Sequence, residues 1–276
     1  MDKPAGITSH DVVAQIRKRL STKQVGHAGT LDPMATGVLV VGINNATKFL
    51  QYIVTGKKRY LATIRLGITT VTDDKEGEIL EVKNWQAITD SQIRSALDKF
   101  RGTFMQIPSS VSAKKIAGER AYDLVREGKE VELAAKEVTV ELLEVLGINR
   151  GEHLDVEIDV SCSAGTYIRA IARDLGNALN VGGHLISLRR TEVSPFDLSE
   201  SAPLESASVI DLAIAIAKVM PVRTLGFDEV AELRFGRRID RCQEDGIVAA
   251  LGPSGEVVAI LENQDGRAQP ITVFNS

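Results

Sequence analysis

The chain has 276 residues, 43% of them hydrophobic and 25% charged, with a net charge of −4, enough length to bury a core and to divide into one large domain and one small one. Its two cysteines, Cys162 and Cys242, stand far apart with no CxxC pairing, so neither a zinc site nor a disulfide framework is encoded, and a reducing, cytoplasmic setting is expected. The opening MDKPAGITSHDVV lacks the apolar segment of a secretory leader, and the most apolar long window, VIDLAIAIAKVMPV, is broken by Asp211 and Lys218 short of a bilayer span, so no membrane partner is expected.

Charge is unevenly spread. Residues 1–66 carry ten Lys and Arg against three Asp, so an acidic total hides a basic N-terminal third. Such a surface can serve a phosphate-rich partner, because local field matters more than the sum. A run such as RKR, taken by itself, reads first as a solvated helix face.

In chain order, TSHDVVAQIRKRL reads as a helix, with Thr8 or Ser9 as N-cap and Val12, Val13, Ile16 and Leu20 at helical spacing. The stretch GHAGTLDPMATG, residues 26–37, leads into VLVVGI, a buried-strand candidate, and NATKFLQYIV, a short helix. KRYLATIRLG and GEILEV flank the polar TDDKEG and predict a hairpin, with Tyr60, Ala62, Ile64 and Leu66 on one face and Leu61, Thr63 and Arg65 on the other. TDSQIRSALDKFRG predicts a helix with Ile93, Leu97 and Phe100 inward, closed by Gly102. IPSSVSAKKIAGERAYDLVREG mixes loop and helix character and carries a second basic cluster, Lys114, Lys115 and Arg120. HLDVEIDVSC alternates as a half-buried strand with Leu154, Val156, Ile158, Val160 and Cys162 inward. A helix follows from near Thr166, its stripe formed by Ile168, Ile171, Leu175 and Leu179, and then the strand HLISLRRTEVS. Irregular alternation and recurring hairpins predict an α+β fold rather than a doubly wound sheet. Beyond VMPVRTLG, the segments GIVAALG, EVVAILEN and QPITVF predict a small β-rich C-terminal module.

GHAGTLDPMATG admits three readings. As a phosphate cradle it fails, because Gly37 is followed by Val38 rather than lysine and the glycines precede a strand rather than a helix. As a tight turn it is ordinary, since Asp-Pro favours an extended or turn conformation. As the mount of a reactive carboxylate, Gly26, Gly29 and Gly37 would admit a ligand backbone on either side of Asp32, and His27 would add a planar group. A buried Asp32 would need a partner, for which Arg169 is a candidate. Carboxylates can attack sugar carbons, but no second acid of a glycosidase stands out, and HExxH, GxSxG and Cys/His constellations are missing from the sequence.

Seven stretches taken together carry a resemblance: DKPAGITSHDVV, GHAGTLDPMATGVL, ATKFLQY, KRYLATIRLG, IPSSVSAKKIAGERAYDLVREG, CSAGTYIRAIARDLG and GHLISLRRT. Spanning residues 2 to about 191, they resemble the TruB family of tRNA pseudouridine-55 synthases, in its actinobacterial form. The resemblance implies a pseudouridine synthase fold, a central mostly antiparallel mixed sheet flanked by helices, over residues 1–220. A PUA-like RNA-binding module would occupy 221–276. It implies isomerisation of the T-loop uridine of tRNA, with the base detached, turned and rejoined through carbon 5, without metal or other cofactor. The implied partner is the tRNA T arm, with no obligate protein partner, and the implied state is a monomer. By similarity Asp32 is catalytic, attacking the ribose or taking its 2′ proton. Tyr60 is the stacking tyrosine and candidate proton acceptor, Arg169 pairs with the aspartate and Tyr167 is its hydrogen-bonding neighbour. His27 helps extrude the nucleotide, and Leu188 and Lys3 line the pocket.

Overall fold

The computed structural model describes residues 1–109 and 134–274, together with the backbone of two short strands, Lys115–Ile116 and Glu119–Arg120, between them. The side chains of the basic cluster Lys114, Lys115 and Arg120 lie outside the described residues.

Helix α1 (Ser9–Arg19) begins where a capping box forms: the Asp11 N–H donates to Thr8 Oγ1 and the Thr8 N–H donates back to Asp11 Oδ2, at 3.1 and 2.8 Å. Thr8 is therefore the cap, which leaves the wholly buried Ser9 hydroxyl for another task. Val12, Val13 and Ile16 are buried as the periodicity predicts, whereas Leu20 is exposed beyond the helix end.

The central sheet runs Asp2–Lys3, Thr36–Val38, Gly183–Val193, Lys58–Leu66, Leu154–Cys162, Lys136–Arg150, Gly102–Gln106, with Phe196–Asp197 paired beside Gly183–Val193. Every pairing is antiparallel except Thr36–Val38 against Gly183–Val193. The α+β expectation holds. Both predicted alternations hold as well: Tyr60, Ala62, Ile64 and Leu66, and Leu154 through Cys162 on even positions, all face the core. That core is completed by α3 (Asp90–Leu97), opened by a Thr89–Gln92 capping box, and by α4 (Ile168–Ala178). Gly176 lets α4 approach the strand start closely, since a Cβ there would lie 2.2 Å from backbone atoms of Gly182 and Gly183.

Two expectations fail in instructive ways. VLVVGI is not one strand: Thr36–Val38 belongs to the central sheet, while Val41–Ile43 pairs with Val25–His27 in a separate ribbon, the chain changing sheets at Leu39–Val40. The hairpin exists, but its first arm is Ile68–Thr70, paired with Ile79–Val82. Lys58–Leu66 already has two neighbours, and Gly67, at φ 94°, turns the chain out of the sheet. A period-two pattern identifies a strand's inner face and carries nothing about its partner.

Helix α2 (Leu50–Val54), preceded by a 3₁₀ turn, is the short helix expected from NATKFLQYIV. A second sheet, in the order Val222–Thr224, Ile247–Leu251, Val257–Gln264, Arg267–Val273, Ile239–Asp240, is the predicted C-terminal β-rich module. Alongside it lie α5 (Leu212–Val219) and α6 (Phe227–Arg234). It has a core of its own around Leu233, Val248 and Leu261. It is also seated on the body, where Ala249, Ile260 and Phe274 pack with Phe49, Ile53, Val193 and Phe196. Lys48 Nζ donates to the Val273 carbonyl at 2.8 Å, and the hydroxyls of Tyr52 and Thr272 lie 3.1 Å apart. Among the described residues no helix is long and apolar enough to cross a membrane.

Candidate active site

Asp32 sits in a loop whose backbone is tied from beneath at nearly every step. Arg190, buried on the Gly183–Val193 strand, donates to the carbonyls of Gly29 (3.0 Å), Thr30 (3.4 Å) and Val38 (2.7 Å). The Ser9 hydroxyl accepts from the Leu31 N–H at 2.9 Å. The Pro33 carbonyl accepts from Gly6 N and from Lys3 Nζ. Leu31, Met34 and Ala35 then anchor the loop in the central core. Three fully buried polar side chains on three different elements thus serve main-chain atoms of one loop, as burial of polar groups requires.

Two of the three glycines of this loop work inside the molecule. Gly37, at φ 104°, lies directly against the Gly183–Val193 strand, and a Cβ there would be 2.1 Å from the Arg190 carbonyl oxygen. Gly29, at φ 94°, makes a turn no β-carbon favours, and Gly26 packs against Leu50. For Gly26 and Gly37 the expectation that they admit a ligand's backbone is corrected, since they let neighbouring elements approach each other, whereas Gly29 lines the cleft beside Asp32.

The Asp32 carboxylate emerges at the surface of this mount, its side chain 33% exposed. Arg169, at the start of α4 and only 6% exposed, meets it side-on, Nε to Oδ2 at 2.9 Å and Nη2 to Oδ1 at 3.2 Å. The same guanidinium donates through Nη1 to the Thr72 carbonyl at 2.8 Å and faces Asp74 Oδ2 at 3.6 Å. Asp74 is itself buried, accepting from the Thr72 hydroxyl and the Glu76 N–H. Arg169 is therefore a bridge between two carboxylates, which fixes its plane and with it the orientation of both Asp32 oxygens.

A cleft of about 350 Å³ opens over Asp32, and Tyr60, Tyr167, Arg169 and Leu188 all line it. Tyr60 is almost wholly buried there, beside Arg190, and burial pushes its phenol above the usual value, so the ring presents a neutral face. Tyr167 is half-buried, its backbone held at both ends by the Gln106 amide, which accepts from Tyr167 N at 2.8 Å and donates to Tyr167 O at 3.0 Å. Two predicted residues stand elsewhere. Lys3 does not line the cleft; its 0% exposed ammonium bonds to the carbonyls of Pro4, Ile7 and Pro33, because a buried cation must find acceptors. His27 lies on the Val25–His27 ribbon outside the cleft wall, its ring edge-on to His10 at 5.5 Å, and burial lowers its pKa.

Asp74, Arg190, Lys58 and Gln106 carry no functional mark in the sequence, and Ser9 is marked only as a possible helix cap. Asp74 lay in a polar run read as a hairpin connector, and the one signal was adjacent aspartates in so short a turn. Arg190 stood in plain view in ISLRR, two residues from Leu188.

Most cations of the basic N-terminal third have partners within the chain, although seven of the ten side chains remain exposed. Lys3 and Lys58 are buried, Arg17 and Arg19 donate to backbone carbonyls, and Lys48 bonds to the Val273 carbonyl of the C-terminal sheet. Lys57, Arg59 and Arg65 pair with Glu141, Asp159 and Asp155. Among the described residues only Lys18 and Lys23 of that group have no hydrogen-bond or ion-pair partner. Among the same residues no group of three or more His, Cys, Asp or Glu is placed to hold a metal ion.

The model of the TruB family pseudouridylate synthase N-terminal domain matches residues 17–168. The chain belongs to the TruB family. Two further family models, for C-terminal parts of tRNA pseudouridine synthases, match residues 169–216 and 220–275. Among TruB-family relatives, the tRNA pseudouridine synthase B of Paenarthrobacter aurescens is 49% identical across 99% of this chain and 93% of its own, and that of Thermobifida fusca 47% across 99% and 97%. A chain of the crystal structure of a Cbf5-Nop10-Gar1 complex is 26% identical, with a TM-score of 0.71 over 99% of this chain and 82% of that one.

Proposed function

We infer that this TruB-family protein isomerises the T-loop uridine at position 55 of tRNA to pseudouridine. The names of its relatives support the substrate, and the observation that carries the chemistry is the Asp32 carboxylate held side-on by Arg169 at the mouth of an aromatic-lined cleft. In this reaction the bond from ribose C1′ to N1 of the base breaks, a bond from C1′ to C5 forms, the C5 proton leaves and N1 takes up a proton from solvent, so the atoms balance as an isomerisation. A carboxylate fixed in both oxygens suits attack at C1′ and removal of the 2′ proton equally. Tyr60 offers a stacking face, worth on the order of 1–3 kcal/mol for a base, which offsets much of the cost of unstacking a flipped nucleotide. Tyr167 and Leu188 complete the walls, and Lys3 serves as a positioning residue behind Pro33. His27, from outside the cleft wall, aids extrusion of the nucleotide. Residues 1–220 form the catalytic unit and 221–276 an RNA-binding module, a division supported by the change of sheet at Val222. In this reading the protein acts as a monomer on the T arm, in the cytoplasm.

The test is tritium release from tRNA carrying uridine labelled at carbon 5. Wild type is expected to release it from the T-loop uridine, and Asp32→Asn to lose at least about 10⁴ in rate, as for a group that acts directly on the reacting atoms. Equal release from both would remove Asp32 from its role. Free uracil among the products would replace the isomerase by a glycosidase, and binding without release would leave a non-catalytic RNA-binding protein.

A further inference from the structure

Lys58 is a cleft residue that neither the mount of Asp32 nor the Asp32–Arg169 pair uses. It opens the Lys58–Leu66 strand two residues before Tyr60, on the same inward face, and is only 5% exposed. Its ammonium donates to the carbonyls of Val54 and Gly56, at 2.5 and 2.6 Å, at the end of α2. Those two bonds consume two of three N–H donors and hold the side chain in one place. No carboxylate among the described residues is within ion-pair distance of Lys58, and its charged neighbour is another buried cation, Arg190. Arg190 in turn is committed to loop carbonyls. The wall formed by Gly29, Thr30, Val54, Lys58 and Arg190 therefore carries two positive charges and no counter-ion.

Burying a cation without a counter-charge is unfavourable, and burial with the nearby Arg190 charge pulls the Lys58 ammonium down to about 8. Three facts coincide here: an uncompensated charge, a fixed side chain with one donor left, and a position on the wall of the cleft. An anion arriving with the substrate would relieve the first and take up the second. A nucleotide turned out of an RNA loop brings such an anion with it, the phosphodiester on one side of its ribose. We propose that Lys58 binds a phosphate oxygen of the RNA backbone flanking the flipped nucleotide, a substrate contact separate from the Asp32–Arg169 pair. The proposal rests on the tRNA-isomerase reading above.

The experiment is a binding cycle between wild type, Lys58→Met and Lys58→Arg on one side, and T-arm hairpin RNA on the other. The RNA is either unmodified or carries a single neutral methylphosphonate on the 5′ or the 3′ side of the target uridine. Lys58→Met is expected to weaken Kd for the unmodified hairpin about 10- to 100-fold. It should lose almost nothing further on the methylphosphonate at the contacted side, and Lys58→Arg should restore part of the loss. Equal losses for Lys58→Met on charged and neutral linkages at both positions would make Lys58 an anchor of α2 only and overturn the proposal. Should Lys58→Met fail to fold, the wild type decides: unchanged Kd with both methylphosphonates overturns it as well. Product formation by the wild type on the unmodified hairpin is scored separately, so loss of the isomerase reading and loss of the phosphate contact give different results.

Discussion

The two large sheets of this molecule are built on different terms. Among the described residues, those up to 193 bury eleven polar or charged side chains, including Lys3, Ser9, Lys58, Asp74, Arg169 and Arg190, and from 194 onward none is buried. The C-terminal sheet closes over aliphatic residues such as Leu233, Val248 and Leu261, and its stability is burial of apolar surface. Around Asp32, cations that are costly to desolvate are kept, and each has main-chain oxygens or carboxylates to meet. Buried charge here marks where a loop must be held in one geometry, and an apolar core marks where only seating is needed.

The sharpest way to break this contrast is to remove one buried charge and one buried aliphatic and compare them. Arg190→Met strands three carbonyls and should cost about 3–5 kcal/mol in urea unfolding. Its kcat/KM should fall further than the unfolded fraction explains, because the Asp32 loop loosens. Leu261→Ala should cost about 3 kcal/mol, from lost transfer energy plus a cavity, with kcat per folded molecule unchanged. An equal drop in kcat for both variants would erase the distinction between the regions.

A smaller effect follows from Lys58. Its native value of about 8 lies below the ordinary 10.5 of lysine, so between those limits the unfolded chain binds more protons and stability rises with pH. Below about 8 the penalty is fully present, and above 10.5 it is gone. Relative to Lys58→Met, which cancels contributions from Arg190 and from Cys162, itself raised to about 11, wild type should gain about 1–2 kcal/mol from pH 8 to 10. A flat difference would mean the charge is solvated. Smallest of all, Lys18→Ala and Lys23→Ala should each reduce the slope of log K against log salt for tRNA binding by roughly 1. Their stability should stay unchanged; a larger change in slope from Arg59 or Arg65 variants would show that the ion-paired cations, not the unpaired ones, meet the RNA.

Much of the architecture was legible along the chain because it is set locally. The cap of the first helix, expected at Thr8 or Ser9 and found at Thr8, and the alternation of Tyr60 to Leu66 and of Leu154 to Cys162 are rules of short spacing, and the structure follows them. The split of VLVVGI between two sheets and the shift of the hairpin past Gly67 were not legible, since pairing partners are chosen by the whole sheet. At the candidate site the same division holds. The cluster of Asp32, Tyr60, Tyr167, Arg169 and Leu188 was marked by motifs, and all five meet at one cleft.

By itself, then, the sequence determined most of the elements, their inward faces and the residue types that chemistry at Asp32 needs. Tertiary structure alone decided that Lys3 supports Pro33 from behind instead of lining the cleft, and that Gly37 makes room for Arg190. It alone placed Asp74 against Arg169 and gave most of the N-terminal cations partners within the chain. Periodicity and capping act over a few residues of chain, whereas a buried charge is satisfied by whichever acceptor the fold brings within reach, and that acceptor carries no mark in the sequence.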